Sequence, residues 1–262
     1  MQRAARWLGP VAMSICLGLL VGVLAVTARS ADVVVARAPQ LPPPGPALVE
    51  GDWTATTPPA PEHPTSFTVA DAVGPSIELW DAPGDPMGRS LDNPTWEGLD
   101  VVFSVLREQE GWLHVRVSSR PNGMTAWVRQ ADVTLREVPN WVRVEVAARK
   151  LTVFHGDTPL LSTLVAVGRS GTPTPVGSFF VDGIVPLDPP HPAYGAGQVS
   201  VSGFSETLTS FGGGIGQIAL HGTQATALLG QETSNGCVRL DNDAIRQVML
   251  LAPTGTPVEI VA

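Results

Sequence analysis

The sequence predicts a mostly β protein built as two modules, the second carrying one or two short helices. Three observations predict it. Apolar and polar residues alternate with a period of two in short runs such as Trp112-Leu113-His114-Val115-Arg116-Val117, as half-buried strands require. Turn chemistry breaks these runs at short intervals, for example at Arg120-Pro121-Asn122-Gly123. Only one segment, from Asp241 or Asn242 to about Leu251, combines a capping residue with helically spaced apolar positions, namely Ile245, Val248, Met249 and Leu250.

The chain opens with Arg3 and Arg6 before an uncharged stretch from Trp7 to Ala28. As a helix that stretch would reach about 30 Å, one bilayer core. Residues 1–31 therefore read as a signal peptide or a signal anchor. The length favours a retained anchor, whereas Val26-Thr27-Ala28 is a serviceable cleavage site. Cys16 is not a lipid-attachment site, because Ile15 before it is too large. Either way the remainder is expected outside the cytoplasm, in the cell envelope. Residues 32–65 follow as a proline-rich linker, with Pro42-Pro43-Pro44, Pro58-Pro59, Pro61 and Pro64 favouring extended backbone.

The first module spans residues 66–138. Ser76 to Trp80, Leu99 to Leu106, Trp112 to Val117 and Ala126 to Val128 read as short strands, five in all being expected, and Trp80, Trp112 and Trp127 are expected in its core. The second module spans residues 141–262. Val142 to Val146 and Lys150 to Phe154 alternate around a turn, His155-Gly156-Asp157-Thr158 is a second turn, and Leu161 to Val167 is the next strand. Gln217 to Leu220 is a strand running into His221, and Thr256 to Val261 closes the module. The segment around His191-Pro192-Ala193-Tyr194 reads as a long loop able to cover a site.

The 262 residues are 44% hydrophobic and only 15% charged, with a formal net charge of −8. That balance argues against a nucleic-acid partner, which calls for a basic face. The histidines and cysteines show no metal-ligand spacing, so no metal or other cofactor is expected. Cys16 falls in the N-terminal apolar run, which leaves Cys237 as the one thiol of the exported part.

Cys237 sits in Ser234-Asn235-Gly236-Cys237-Val238-Arg239, sixteen residues after His221. A thiol becomes a strong nucleophile when a base takes its proton, and imidazole is suited to that role. Gly236 allows a tight turn, so that the amides of Asn235, Gly236 and Cys237 can face one point and hold an oxyanion. Arg239 shares a face with Cys237 if the chain is extended there, and is a candidate either for binding a substrate carboxylate or for a structural ion pair.

The second module resembles the YkuD-type catalytic domain of L,D-transpeptidases, a β-sandwich. The matching pieces are Thr172-Pro173-Thr174-Pro175-Val176-Gly177, Ser202-Gly203-Phe204-Ser205, His221-Gly222-Thr223 and Ser234-Asn235-Gly236-Cys237-Val238-Arg239. The resemblance implies that Cys237 is the nucleophile, His221 the base, and the Gly222 carbonyl the third member fixing the imidazole tautomer. Ser234, Asn235, Gly236, Arg239 and Tyr194 are candidates for oxyanion or substrate contacts. Asn235 departs from the histidine common in the family. The reaction implied is acyl transfer from a peptidoglycan tetrapeptide stem, with D-alanine leaving, to an amine of a neighbouring stem. Water as acceptor would make the site a carboxypeptidase, and a protein lysine would make it a protein-to-wall anchor. The expected partners are peptidoglycan stem peptides, the cytoplasmic membrane through the N-terminal segment, and carbapenem β-lactams as inhibitors. The first module resembles bacterial SH3-like domains in Glu110-Gly111-Trp112-Leu113 and Ala126-Trp127-Val128. Papain-like wall endopeptidases also travel with such domains, but there cysteine precedes histidine and opens a helix; here His221 comes first. A wall-binding protein with an inactive site is the non-enzymatic alternative.

Overall fold

The structure, a computed structural model, describes residues 62–210 and 214–262. The expected export segment and most of the expected linker lie outside the described residues. Among those described, no helix is long and apolar enough to cross a membrane.

The protein is mostly β, as expected. Seven strands come first: β1 (Phe67–Ala72), β2 (Ser76–Ala82), β3 (Asp85–Asp92), β4 (Val102–Gln109), β5 (Trp112–Arg116), β6 (Thr125–Arg129) and β7 (Val133–Val138). They form one antiparallel sheet in the order β3-β2-β6-β5-β4-β1-β7. The count is seven rather than five. The edge strand β3 is mostly exposed and contains Pro86 and Gly88, so it carries no alternation to read. Ala70, Leu79, Phe103, Leu113 and Val128, from five strands of the one sheet, meet in a single apolar cluster, which requires the sheet to curl around it. Of the three tryptophans expected inside, Trp127 is buried. Trp80 and Trp112 are half-buried, in edge-to-face contact at 5.0 Å, with the Arg129 guanidinium 4.7 Å over the Trp80 ring.

Ten strands and a helix follow: β8 (Trp141–Glu145), β9 (Lys150–His155), β10 (Thr158–Leu164), β11 (Val167–Gly168), β12 (Gly177–His191), β13 (Gly195–Phe204), β14 (Gln217–Gly222), β15 (Glu232–Ser234), β16 (Val238–Leu240), α1 (Asn242–Leu251) and β17 (Pro257–Val261). Eight of the strands pair in the order β10-β9-β8-β17-β12-β13-β14-β16, and β11 pairs with β15. The long β12 pairs with β17 through Gly177–Phe180 and with β13 from Val181 onward. It therefore hands the sheet from one half to the other. Val144, Val153 and Ile260 from the first half share one core with Val201, Leu220 and Leu240 from the second and with Ile245 and Val248 of α1. Two inner faces packed on a common core make a sandwich.

The helix begins as the sequence demands. Asp241 is its cap and accepts hydrogen bonds from the amides of Asp243 and Ala244, both at 2.9 Å. Leu250, expected on the buried side, instead faces solvent. The expected strand from Leu161 to Val167 is two strands, β10 ending at Leu164 and β11 starting at Val167, because Val165 and Ala166 turn to other partners. Glu62 and His63, the end of the stretch read as linker, are held down. Both amides donate to Asp157, and the His63 ring stacks on Trp141 at 4.4 Å.

The small sheet is tied to the sandwich. The Arg120 guanidinium donates to the carbonyls of Ser205, Ile215 and Leu208 at 2.9, 3.1 and 3.2 Å. Asn122 exchanges two hydrogen bonds with the Phe204 backbone, each 2.8 Å. Phe180 packs with Val69, Val102 and Val138 in a buried cluster of its own. Residues 62–262 accordingly fall within one compact unit.

Candidate active site

Two adjacent parallel strands bring the predicted pair together. β14 ends with His221 and Gly222, and β16 begins directly after Cys237. Their register aligns Leu220 with Val238, His221 with Arg239 and Gly222 with Leu240. One step back along that register, Ala219 falls beside Cys237, and its amide lies where it favours the thiolate.

His221 is buried, only 4% exposed. Its Nδ1 lies 2.8 Å from the Gly222 carbonyl oxygen. A carbonyl only accepts, so Nδ1 carries the proton and Nε2 keeps the free lone pair. Burial pulls the imidazole pKa below its ordinary range; the Gly222 carbonyl opposes this, and the Arg239 cation adds to it. Burial pushes the Cys237 thiol up, against the pull of the Ala219 amide and Arg239. At neutral pH these shifts leave a neutral thiol beside a neutral base.

The loop that presents Cys237 is braced from two sides. The Ser234 hydroxyl donates to the Cys237 carbonyl at 2.5 Å and accepts from the Gly236 amide at 3.1 Å. Gly236 has φ +115°, a conformation that side-chain-bearing residues rarely adopt. From the other side, Thr172 donates to the Ser234 carbonyl at 3.2 Å and Thr174 to the Gly236 carbonyl at 2.9 Å. Thr174 in turn accepts from the Gly168 amide at 2.9 Å. The sequence marks Thr172 to Gly177 as part of a motif; what it does not reveal is that two threonine hydroxyls fasten the cysteine loop. The expectation that three successive amides face one point needs correction. The Gly236 N–H is already engaged by Ser234, which leaves the amides of Asn235 and Cys237 as the loop's candidate donors.

Cys237, His221, Asn235, Arg239 and Tyr194 all line one cavity of about 440 Å³. Ser234, Gly236 and Gly222 support it from behind. Tyr194 does not sit on a long loop, as expected, but on the short tip between the long strands β12 and β13. Its ring meets His221 edge-on at 5.3 Å and stacks with His191 at 5.3 Å. Pro189 and Pro190 sit inside β12 where its pairing with β13 lapses between Pro186 and His191, so they break no ladder, and Pro192 lies in the tip beyond the strand.

Several lining residues escaped the sequence reading. Trp96 and Glu97 reach the cavity from the loop between β3 and β4 of the small sheet, and Ile215 from the segment before β14. Trp96 is 69% exposed. A large exposed aromatic beside the cavity is the only local signal, and it cannot be read without the fold.

Residues 139–260 match the model of the YkuD family, described as the L,D-transpeptidase catalytic domain. The chain is 28% identical over 123 residues to the YkuD protein of Bacillus subtilis (strain 168), covering 47% of this chain and 66% of that one. It is also 28% identical over 173 residues to the YkuD protein of Bacillus licheniformis, covering 66% of this chain and 94% of that one. Among solved structures, an L,D-transpeptidase from Mycobacterium smegmatis is 14% identical, with 61% of this chain and 99% of that one covered and a TM-score of 0.37.

Proposed function

We propose that the protein is an L,D-transpeptidase of the bacterial cell wall, with Cys237 as nucleophile and His221 as base. The observation that carries the reading is the His221 Nδ1–Gly222 carbonyl bond at 2.8 Å, in a strand whose partner places Cys237 on the same cavity. The family match over residues 139–260 supports it.

The reaction balances on these groups. His221 Nε2 takes the thiol proton as Cys237 Sγ attacks a peptide carbonyl. The amides of Asn235 and Cys237 stabilise the oxyanion. The C–N bond breaks, the proton passes from His221 to the leaving amine, here D-alanine, and a thioester remains. An acceptor amine then attacks the thioester. The C–S bond breaks, and the amine's proton returns through His221 to the sulfur. Arg239 holds an anionic group of the donor peptide near the nucleophile. Tyr194 packs against His221 and forms one wall of the donor site.

The remaining parts follow the same reading. Residues 66–138 serve as an SH3-like module and 141–262 as the catalytic domain. Residues 1–31 export the chain or anchor it, and 32–65 space it from the membrane. The protein acts in the cell envelope, and carbapenems acylate Cys237.

The test is incubation of the protein with a disaccharide-tetrapeptide, with products followed by mass spectrometry beside Cys237→Ala. Cross-linked dimer made only by the wild type is the expected result. Tripeptide alone would make the enzyme a carboxypeptidase. No product and no carbapenem adduct on the wild type would leave a wall-binding protein with an inactive site.

A further inference from the structure

A second cavity, of about 340 Å³, adjoins the first and shares Trp96, Glu97, Ser200, Ile215 and Gln217 with it. Its walls come from both modules. Four carboxylates line it, those of Asp92, Glu97, Asp100 and Asp182, and no lysine, arginine or histidine does.

Asp182 is the unusual member. Its carboxylate is buried. Oδ2 accepts from the Ser118 hydroxyl and from the Gln217 amide, the latter at 2.6 Å. Oδ1 is enclosed and has no hydrogen-bond partner; Ser200 stands nearby without making a well-formed bond to it. A buried carboxylate with one oxygen unpartnered and no counter-charge is costly. Glu97 feels it: burial and the charge of Asp182 both push the Glu97 carboxyl up. A compact cation with several donors would complement this set of carboxylates.

The two cavities also differ in sign along their length. Arg239 supplies a cation beside Cys237, whereas Glu97 and Asp182 supply anions at the end lined by the small module. A donor peptide with an anionic end is drawn to the first. A chain ending in an ammonium group is drawn to the second, where its N–H donors would meet the Glu97 carboxylate in the field of the uncompensated Asp182 carboxylate. Glu97 lines both cavities, so a cation bound there stands at the entrance to the nucleophile.

We propose that Glu97 and Asp182 form the acceptor subsite, which recognises the primary ammonium of the incoming chain at the junction of the two modules. The proposal rests on the transpeptidase reading above. The acceptor binds as its ammonium ion and attacks as the free amine, its extra proton released to water. Trp96 flanks the path as an aromatic wall for the acceptor's aliphatic stem or for the cation itself.

Full-length protein is given a tetrapeptide donor, and two quantities are read together by mass spectrometry. One is the rate at which Cys237 gains the acyl mass; the other is the ratio of cross-linked dimer to hydrolysed tripeptide. Glu97→Gln and Asp182→Asn are expected to lower that ratio about 10–100-fold, the loss of one or two charge-assisted hydrogen bonds. The acceptor KM rises while Cys237 still becomes acylated, and Glu97→Asp recovers part of the ratio. A ratio equal to wild type in both variants overturns the proposal. So does an equal fall in acylation and in cross-linking, because the two residues would then serve the donor or the fold. A wild type that acquires no acyl group at all overturns the transpeptidase reading itself, and the subsite with it.

Discussion

Arg239 pairs directly with His221 across the parallel strands β14 and β16, so a permanent cation is fixed beside the imidazole. Together with burial it disfavours the imidazolium form. A thiolate–imidazolium ion pair is thus not the resting state. Burial works against both charges at once, raising the thiol and lowering the imidazole.

The first prediction concerns pH. His221 must be neutral to accept a proton, so the acylation rate rises with pH through its pKa and then levels off. Because that pKa is depressed, the acid limb of kcat/KM lies below the ordinary imidazole value of about 6.5. Arg239→Met removes a cation that opposes protonation and moves the limb upward. A pH–rate profile of carbapenem acylation checks both statements. Thiolate ultraviolet absorbance should be absent at neutral pH in the wild type.

His221→Ala should slow acylation of Cys237 by roughly 10²–10⁴ at neutral pH. The deficit should shrink at alkaline pH, where hydroxide deprotonates the thiol without help. Stopped-flow or mass-spectrometric acylation measured at several pH values would show this. A pH-independent deficit would mean that His221 acts by shape alone.

Thr174→Val keeps the shape and deletes a hydroxyl that serves the Gly236 carbonyl and the Gly168 amide, each at 2.9 Å. Both groups lose a partner in a buried place, at a cost of about 1–3 kcal/mol. Denaturant unfolding should report that loss. Acylation should fall further than a stability change of this size explains, because the cysteine loop loses its outer fastening. Equal acylation in a destabilised variant would separate the threonine from the site.

Asp182→Asn should stabilise the protein near neutral pH. The folded-state pKa of Asp182 is raised by burial, so the folded state binds the proton more readily than the unfolded state. Stability is then lost as pH rises from the unfolded value of about 3.9 through the folded one. Asparagine avoids that loss. The gain should be read as a rise in Tm at pH 7 that vanishes below about pH 4, where both states are protonated. Thermal scans at both pH values decide it.

The sequence singled out Cys237 and His221 because a thiol and an imidazole sixteen positions apart are read from residue type and spacing alone. It disclosed α1 because Asp241 is a self-contained cap. Other parts depend on contacts between distant positions. Glu97 and Asp182 lie in different modules and meet only once the small sheet is docked. Tyr194 looked like part of a long loop because Pro192 beside it marks a break, and only the long β12–β13 pairing shows that the break is a short tip. β3 was hidden because an exposed edge strand has no buried face to impose a period of two. Leu250 was misplaced because a hydrophobic residue one step from a buried one obeys no rule that forbids exposure.

The docking of Glu62 and His63 on Asp157 and Trp141 bears on mechanics. Trp141 continues the stack onto Phe154 at 4.6 Å. Tension arriving along the chain from the N-terminal side meets this aromatic clasp before it reaches either sheet. The clasp would yield first, sparing the strands that hold Cys237 and His221. Pulling from that side would thus leave the cavity lined by Cys237 and His221 undeformed.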